Sequence, residues 1–122
     1  MRGLPERQNA ISAAASVLAR QLPATAIIAE TTSGQTARNI ASLRPAVPIV
    51  IATNRPRVYS QLAIVWGGKS YLLDDMEVAT QHVIHQLRSA GHVVVGDTLV
   101  VVSGSQPGLV GGTDKLEIKV VD

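Results

Sequence analysis

Ala26-Ile27-Ile28-Ala29-Glu30-Thr31-Thr32-Ser33-Gly34-Gln35-Thr36-Ala37 is the stretch on which the fold turns. A short apolar run, rich in isoleucine, breaks into hydroxyl side chains gathered around one glycine. Apolar residues then recur at helical spacing from Ala37 through Ile40 and Ala41. The pattern predicts strand, tight loop, helix. At such a junction the first-turn N–H groups of the helix have no partner within the helix, and the positive end of its dipole points at the loop. Thr31, Thr32, Ser33 and Thr36 add hydroxyls at the same place. The combination describes an anion site, most naturally for a phosphate.

A plainer reading stands beside it. One Ser or Thr capping a helix gives the same local pattern. Four hydroxyls in the six residues 31–36 exceed what one cap requires. Each hydrogen bond to a charged partner contributes about 1.5–3 kcal/mol net. A few of them, less the cost of ordering, suit a ligand of roughly micromolar to millimolar affinity. Glu30, at the strand's end, would repel an anion unless a base such as Arg38 paired with it.

Outward from that stretch, the chain alternates strands and helices. Residues 5–22 form a predicted helix with Ile11, Ala14, Ala15, Leu18 and Leu22 on one face, stopped by Pro23. Strand 25–30 is apolar on both sides, as a central parallel strand should be. Helix 34–43, strand 47–52 and a helix opened by Thr53-Asn54 and Pro56 follow, the last burying Val58, Leu62 and Val65. Strand 69–73 leads to a helix begun by Asp74-Asp75, with Met76, Ala79, Val83, Leu87 and Ala90 buried and Gly91 as its left-handed cap. Strands 98–102 and 116–121 close the chain. This alternation predicts a three-layer α/β/α sandwich around a five-stranded, mostly parallel sheet. The link 103–114 holds four glycines and no helical pattern, so the fifth strand is expected to run antiparallel.

The 122 residues fit one domain spanning 1–122, able to bury roughly two-thirds of its unfolded surface. With three aromatic residues and no Phe, the core must be aliphatic. The absence of cysteine rules out disulfides and thiolate metal sites. The opening residues lack the apolar core of a signal peptide, and no run approaches the ~20 apolar residues of a membrane span. A cytoplasmic location is the default expectation. Residues 1–61 carry a net +5 and residues 62–122 a net −3, so positive charge shares the half that holds the 31–36 loop, with Arg38, Arg44, Arg55 and Arg57. So few aromatics and so modest a charge make a poor nucleic-acid footprint. His82 and His85 stand three apart on a helix, a possible metal spacing, but Val83 and Leu87 mark the buried face and leave both histidines to solvent. Neither a GxxxxGK phosphate loop nor a GxSxG elbow occurs.

Ile27-Ile28, Thr31, Ser33-Gly34, Thr36-Ala37, Arg44-Pro45 and Pro48-Ile49 together resemble the C-terminal domain of pyruvate kinase. Gly96-Asp97, Ser103-Gly104, Pro107-Gly108 and Thr113-Asp114 continue the likeness in order. The resemblance covers essentially the whole chain. It implies a regulatory, non-catalytic unit with no catalytic or metal-binding residues of its own, because magnesium and potassium belong to the barrel domain that transfers phosphate from phosphoenolpyruvate to ADP. It also implies a phosphorylated small-molecule effector held by Thr31, Thr32, Ser33, Gly34, Gln35 and Thr36. A second loop with Gly104, Gln106, Gly108 and Thr113 would close over that effector. The implied partners are the barrel domain and further copies of the chain.

Three positions depart from members activated by fructose bisphosphate. Gln35 stands where an arginine is often found, Ser105-Gln106 where those members resemble one another in a Trp-Arg pair, and Ala79 where they carry an arginine for a second phosphate. The departures favour a sugar or nucleotide monophosphate, or a site that has lost its ligand. A free-standing phosphometabolite-binding protein and a purely structural assembly module are the alternatives.

Overall fold

The computed structural model describes residues 4–66, 69–104 and 113–122. Its elements in chain order are α1 (Leu4–Gln21), β1 (Ala26–Glu30), α2 (Gln35–Ser42), β2 (Ile49–Thr53), α3 (Pro56–Trp66) and β3 (Lys69–Leu72). A 3-10 turn (Met76–Val78) then leads into α4 (Ala79–Ser89), followed by β4 (Thr98–Gly104) and β5 (Thr113–Val120). The five strands form one sheet in the order β3-β2-β1-β4-β5, with β5 alone antiparallel.

Handedness explains the layers. β1 to β2 to β3 steps in one direction across the sheet, and right-handed crossovers put α2 and α3 on one face. The chain then returns past β1 to β4, so α4 must cross on the other face. The side chains agree. Ile27, Ala29, Ile49, Ile51, Val100 and Val102 pack with Ala15, Ala37, Ile40 and Val58. Ile28, Val50, Leu99 and Val101 pack with Met76, Ala79, Val83 and Leu87 on the opposite face. β1 is therefore buried on both sides, which is why its sequence shows no alternation. This confirms the expected three-layer sandwich.

The details differ in instructive ways. β2 begins at Ile49, not residue 47, since Pro48 has no N–H to give the ladder, although its carbonyl accepts from Ile27 N–H at 3.0 Å. β4 and β5 extend to a Gly104–Thr113 pair because the antiparallel ladder continues past the apolar runs. On α1, Ser12, Ala15 and Ala19 are buried, whereas Ala14 and Leu22 are exposed. An alanine-rich helix carries a weak directional signal, and Leu22 falls in the turn after the helix ends. Ahead of α3, Thr53 Oγ1 accepts from Arg55 N–H at 3.2 Å, a turn that precedes the helix rather than the expected cap on it. Asp75 accepts from Glu77 N–H at 3.0 Å and so starts the 3-10 turn ahead of α4. The side chains of Leu62 and Val65 lie outside the described residues.

α4 ends as expected at Gly91, with φ 81°. Gly91 N–H reaches Arg88 O at 3.1 Å and His92 N–H reaches Leu87 O at 2.9 Å, the paired bonds of a Schellman cap. Ala90, expected in the core, is exposed beside this cap. A Cβ at Gly91 would meet nothing within 4 Å, so only backbone strain opposes a side chain. Gly91→Ala is expected to cost about 1–2 kcal/mol in urea unfolding, and Gly91→Asn less, since asparagine tolerates the left-handed region.

Candidate functional site

A chain that leaves β1 on one side and β4 on the other creates a switch point between their carboxyl ends, where open α/β sheets bind ligands. The 31–36 loop leaves β1 there, and the 104–113 link leaves β4. Sequence reasoning selected both. Of the second set, Gly104 and Thr113 pair across the β4–β5 ladder, and Gln106 and Gly108 lie outside the described residues.

The loop is built by its own hydroxyls. Thr31 N–H completes the sheet ladder on Ala52 O at 2.9 Å. Thr31 Oγ1 then accepts from Gly34 N–H at 2.8 Å, and Ser33 Oγ accepts from Gln35 N–H at 3.1 Å. Gly34 caps α2 in the left-handed region, φ 86°, which favours glycine at this corner. The N–H groups of Gly34 and Gln35 are thus held by local side chains, but the N-cap is Gly34 itself and no Ser or Thr side chain caps α2 as the plainer reading expected. Among the described residues, no protein acceptor meets the N–H groups of Thr32 and Ser33. Thr31, Thr32 and Thr36 are buried, Ser33 is half-buried and Gln35 is exposed. Gln35 Nε2 donates to Asn39 Oδ1 at 2.8 Å along the helix surface.

Arg38 bends back over the loop: its Nη1 donates to Ser33 O at 3.3 Å and its Nη2 lies 3.5 Å from Gln61 Oε1. Arg38, Arg44, Arg55 and Arg57 are all exposed, and among the described residues none pairs with a carboxylate. His82 and His85 are exposed, and His82 Nε2 lies 3.5 Å from Gln86 Nε2.

Glu30 turns away from the loop. Its neighbour on the chain, Thr31, serves the α2 layer, while Glu30 faces α4 and accepts a hydrogen bond from Thr80 Oγ1. Arg38, one base that could have paired with it, instead bends over the loop to Ser33 O. Burial pushes the Glu30 carboxyl above the usual carboxylate range, opposed by the Thr80 bond and by the charge of Lys115, and reinforced by Glu117. Thr80 was not singled out from sequence, and no periodicity marks a contact made fifty residues away.

The shift fixes a pH dependence. A carboxyl with a raised folded pKa contributes its stability below the unfolded value, about 4.3, and loses it as pH rises through the folded value. Glu30→Gln cannot ionise and keeps an acceptor for Thr80. Melting temperatures of the two proteins should therefore lie close together near pH 4, and the variant should gain on the parent as pH rises toward 7. A gap that shrinks with rising pH would refute the assignment.

Known proteins agree with this architecture. The pyruvate kinase alpha/beta domain family matches residues 9–119. The chain is 35% identical over 118 residues to a pyruvate kinase of Corynebacterium efficiens, covering 94% of this chain and 25% of that protein. It is 36% identical over 116 residues to pyruvate kinase 2 of a Synechocystis strain, covering 93% of this chain and 20% of that protein. A crystal structure of a pyruvate kinase from Cryptosporidium parvum superposes with a TM-score of 0.82 at 28% identity, over 94% of this chain and 23% of that one. The chain thus spans about a quarter of the relatives it matches. Sheet order, the antiparallel last strand and a family match across residues 9–119 lead to one conclusion: this chain belongs to the pyruvate kinase alpha/beta (C-terminal) domain family.

Proposed function

We propose that the chain is the regulatory, non-catalytic C-terminal part of a pyruvate kinase, which binds a phosphorylated small molecule at the 31–36 loop and contributes to subunit assembly. The observation that carries this reading is the position of a hydroxyl-rich loop and a helix N-terminus at the switch point of the sheet. Arg38, Arg44, Arg55 and Arg57, in the same half of the sequence and without a carboxylate partner among the described residues, supply a positive field for an anion. Catalysis, with its magnesium and potassium, belongs to a barrel domain, and the 122 residues alone form no ATP from phosphoenolpyruvate and ADP.

The ligand is taken as a sugar or nucleotide monophosphate, because Ala79 and Gln35 stand where the resemblance to members activated by fructose bisphosphate implies arginines. Calorimetric titration with glucose 6-phosphate and with AMP tests it. Micromolar to millimolar binding is expected for one of them, and Ser33→Glu should weaken it at least tenfold by setting a like charge against the phosphate. No binding below millimolar concentration, or no effect of Ser33→Glu, would sink the effector role.

Assembly rests on a separate observation. β5 is an edge strand whose Ile118 and Val120 are 50% and 59% exposed. An uncovered strand edge with apolar side chains is a ready surface for a further copy.

A further inference from the structure

Glu30 ends β1, and the alternation of the strand sends its side chain toward the α4 layer, as it does those of Ala26 and Ile28. There Thr80, the second residue of α4, donates its hydroxyl to Glu30 Oε2. The backbone N–H of Thr80 favours the same carboxylate. Val78, at the N-cap of α4, offers no side-chain acceptor, so the start of the helix takes one from the sheet. Further along, the hold is apolar: Ala79, Val83 and Leu87 pack with Ile28, Val50, Leu99 and Val101. At the far end Arg88 donates to the carbonyl of Asp122.

A cleft of about 750 Å³ between α4 and β5 reaches Glu30, and its lining includes Thr80 and Gln81 from the first turn of α4. Charged groups line it from several elements. β5 brings Lys115 and Lys119, which share the carboxylate of Glu117 at 3.5 and 3.6 Å. The 3-10 turn brings Glu77, α4 brings His85 and Arg88, and Asp122 follows β5. In the sheet, Glu30 pairs with Ala52 of β2, which carries no charge, and Tyr71 of β3 stands one strand beyond. On the β4 side the register puts it level with Ser103. Among the described residues no cation reaches Glu30 to form an ion pair. Burial therefore outweighs the Thr80 bond and the charge of Lys115, and the ionised form is disfavoured for as long as α4 covers the carboxyl.

We propose that Glu30 and Thr80 form a proton-operated latch on this cleft: the protonated carboxyl holds the first turn of α4 closed on β1, and loss of the proton lets that turn lift and admit water. The direction follows from linkage. A lifted turn returns the carboxyl to water, where its pKa is about 4.3. Closure raises that value, so the closed form binds the proton more tightly. Closure is fullest below the open value and is lost as pH rises through the closed one. The neutral carboxyl keeps an oxygen for the Thr80 hydroxyl, so the contact survives protonation. The motion is local. Val83 and Leu87 are buried one and two turns further on and keep the rest of the helix docked, whereas the first turn has Ala79 and the Glu30 contact.

Native-state amide exchange, followed by NMR from about pH 4 to about pH 8, tests the latch, with rates expressed as protection factors to remove their intrinsic pH dependence. The amides of His82 and Val83 close the first turn of the helix. Their protection should fall as pH rises, by up to about tenfold for each pH unit by which the closed value exceeds the open one. At pH 7 both should be less protected than Leu87, the mark of a local opening rather than global unfolding. Glu30→Gln, which cannot ionise, should make the profile flat. Thr80→Val removes a donor that favours the ionised form and should move the fall to higher pH. His85→Gln should change nothing, which excludes the imidazole as the titrating group. Protection that is flat or rises with pH, a fall that persists in Glu30→Gln or disappears in His85→Gln, a midpoint unmoved or lowered by Thr80→Val, or exchange of the first turn only together with Leu87 overturns the proposal.

Discussion

Ile28→Ala is expected to cost about 2–5 kcal/mol of unfolding free energy. Against a total of about 5–15 kcal/mol for an ordinary domain, that is the largest single loss foreseen here. Ile28 is fully buried at the centre of the sheet, among Val50, Val83, Leu87 and Val101. Truncation removes three carbons from water-excluded packing and leaves a cavity that strands on both sides keep from collapsing. Urea unfolding should show a lower midpoint at constant slope, the sign of a stability change without a change in the surface exposed. Ile27→Ala should lose a similar amount through the other layer, since Ile27 faces α1 and α2. Leu22→Ala supplies the contrast. At 37% exposure, it should stay within about 0.5 kcal/mol of the parent. A loss below 1 kcal/mol for Ile28→Ala would mean that β1 is not the two-sided centre of the sheet.

That centre was legible because a strand buried on both faces writes an unbroken apolar run, and Ala26 through Ala29 are such a run. The antiparallel last strand was legible for an equally local reason: the 103–114 link holds no helix to carry a parallel crossover. Gly91 announced its own cap. The buried face of α1 was not legible, since alanine tolerates core and surface alike, and the tilt of the helix decides between Ala14 and Ala19. Glu30 is the sharper failure. Sequence placed its carboxylate beside an anion loop, where it would repel a phosphate unless a base such as Arg38 paired with it, and gave no account of it. The alternation of a strand sends adjacent side chains to opposite faces, so Thr31 and Glu30 belong to different layers and different sites. Its hydrogen-bond partner Thr80 comes from α4, fifty residues on, where no strand alternation points to it.

Thr31→Val decides between the two readings of the 31–36 loop. Valine keeps the shape of threonine and removes the one acceptor on Gly34 N–H, a buried donor held at 2.8 Å. An orphaned buried donor costs about 1–3 kcal/mol, and this one also fixes the left-handed corner from which α2 starts. Both readings therefore foresee a lower melting temperature. They part when ligand is added. In the parent, a phosphate that reaches Gly34 N–H must first displace Thr31 Oγ1. In the variant the same donor waits without a partner, and a phosphate oxygen supplies the missing acceptor. Saturating glucose 6-phosphate or AMP, whichever binds the parent, should then raise the melting temperature of Thr31→Val by more than it raises that of the parent. A smaller rise would mean that the hydroxyl contributes to the grip and the anion sits on Thr32 and Ser33 N–H. No rise in either protein would leave the four hydroxyls as nothing more than the lock that joins β1 to α2.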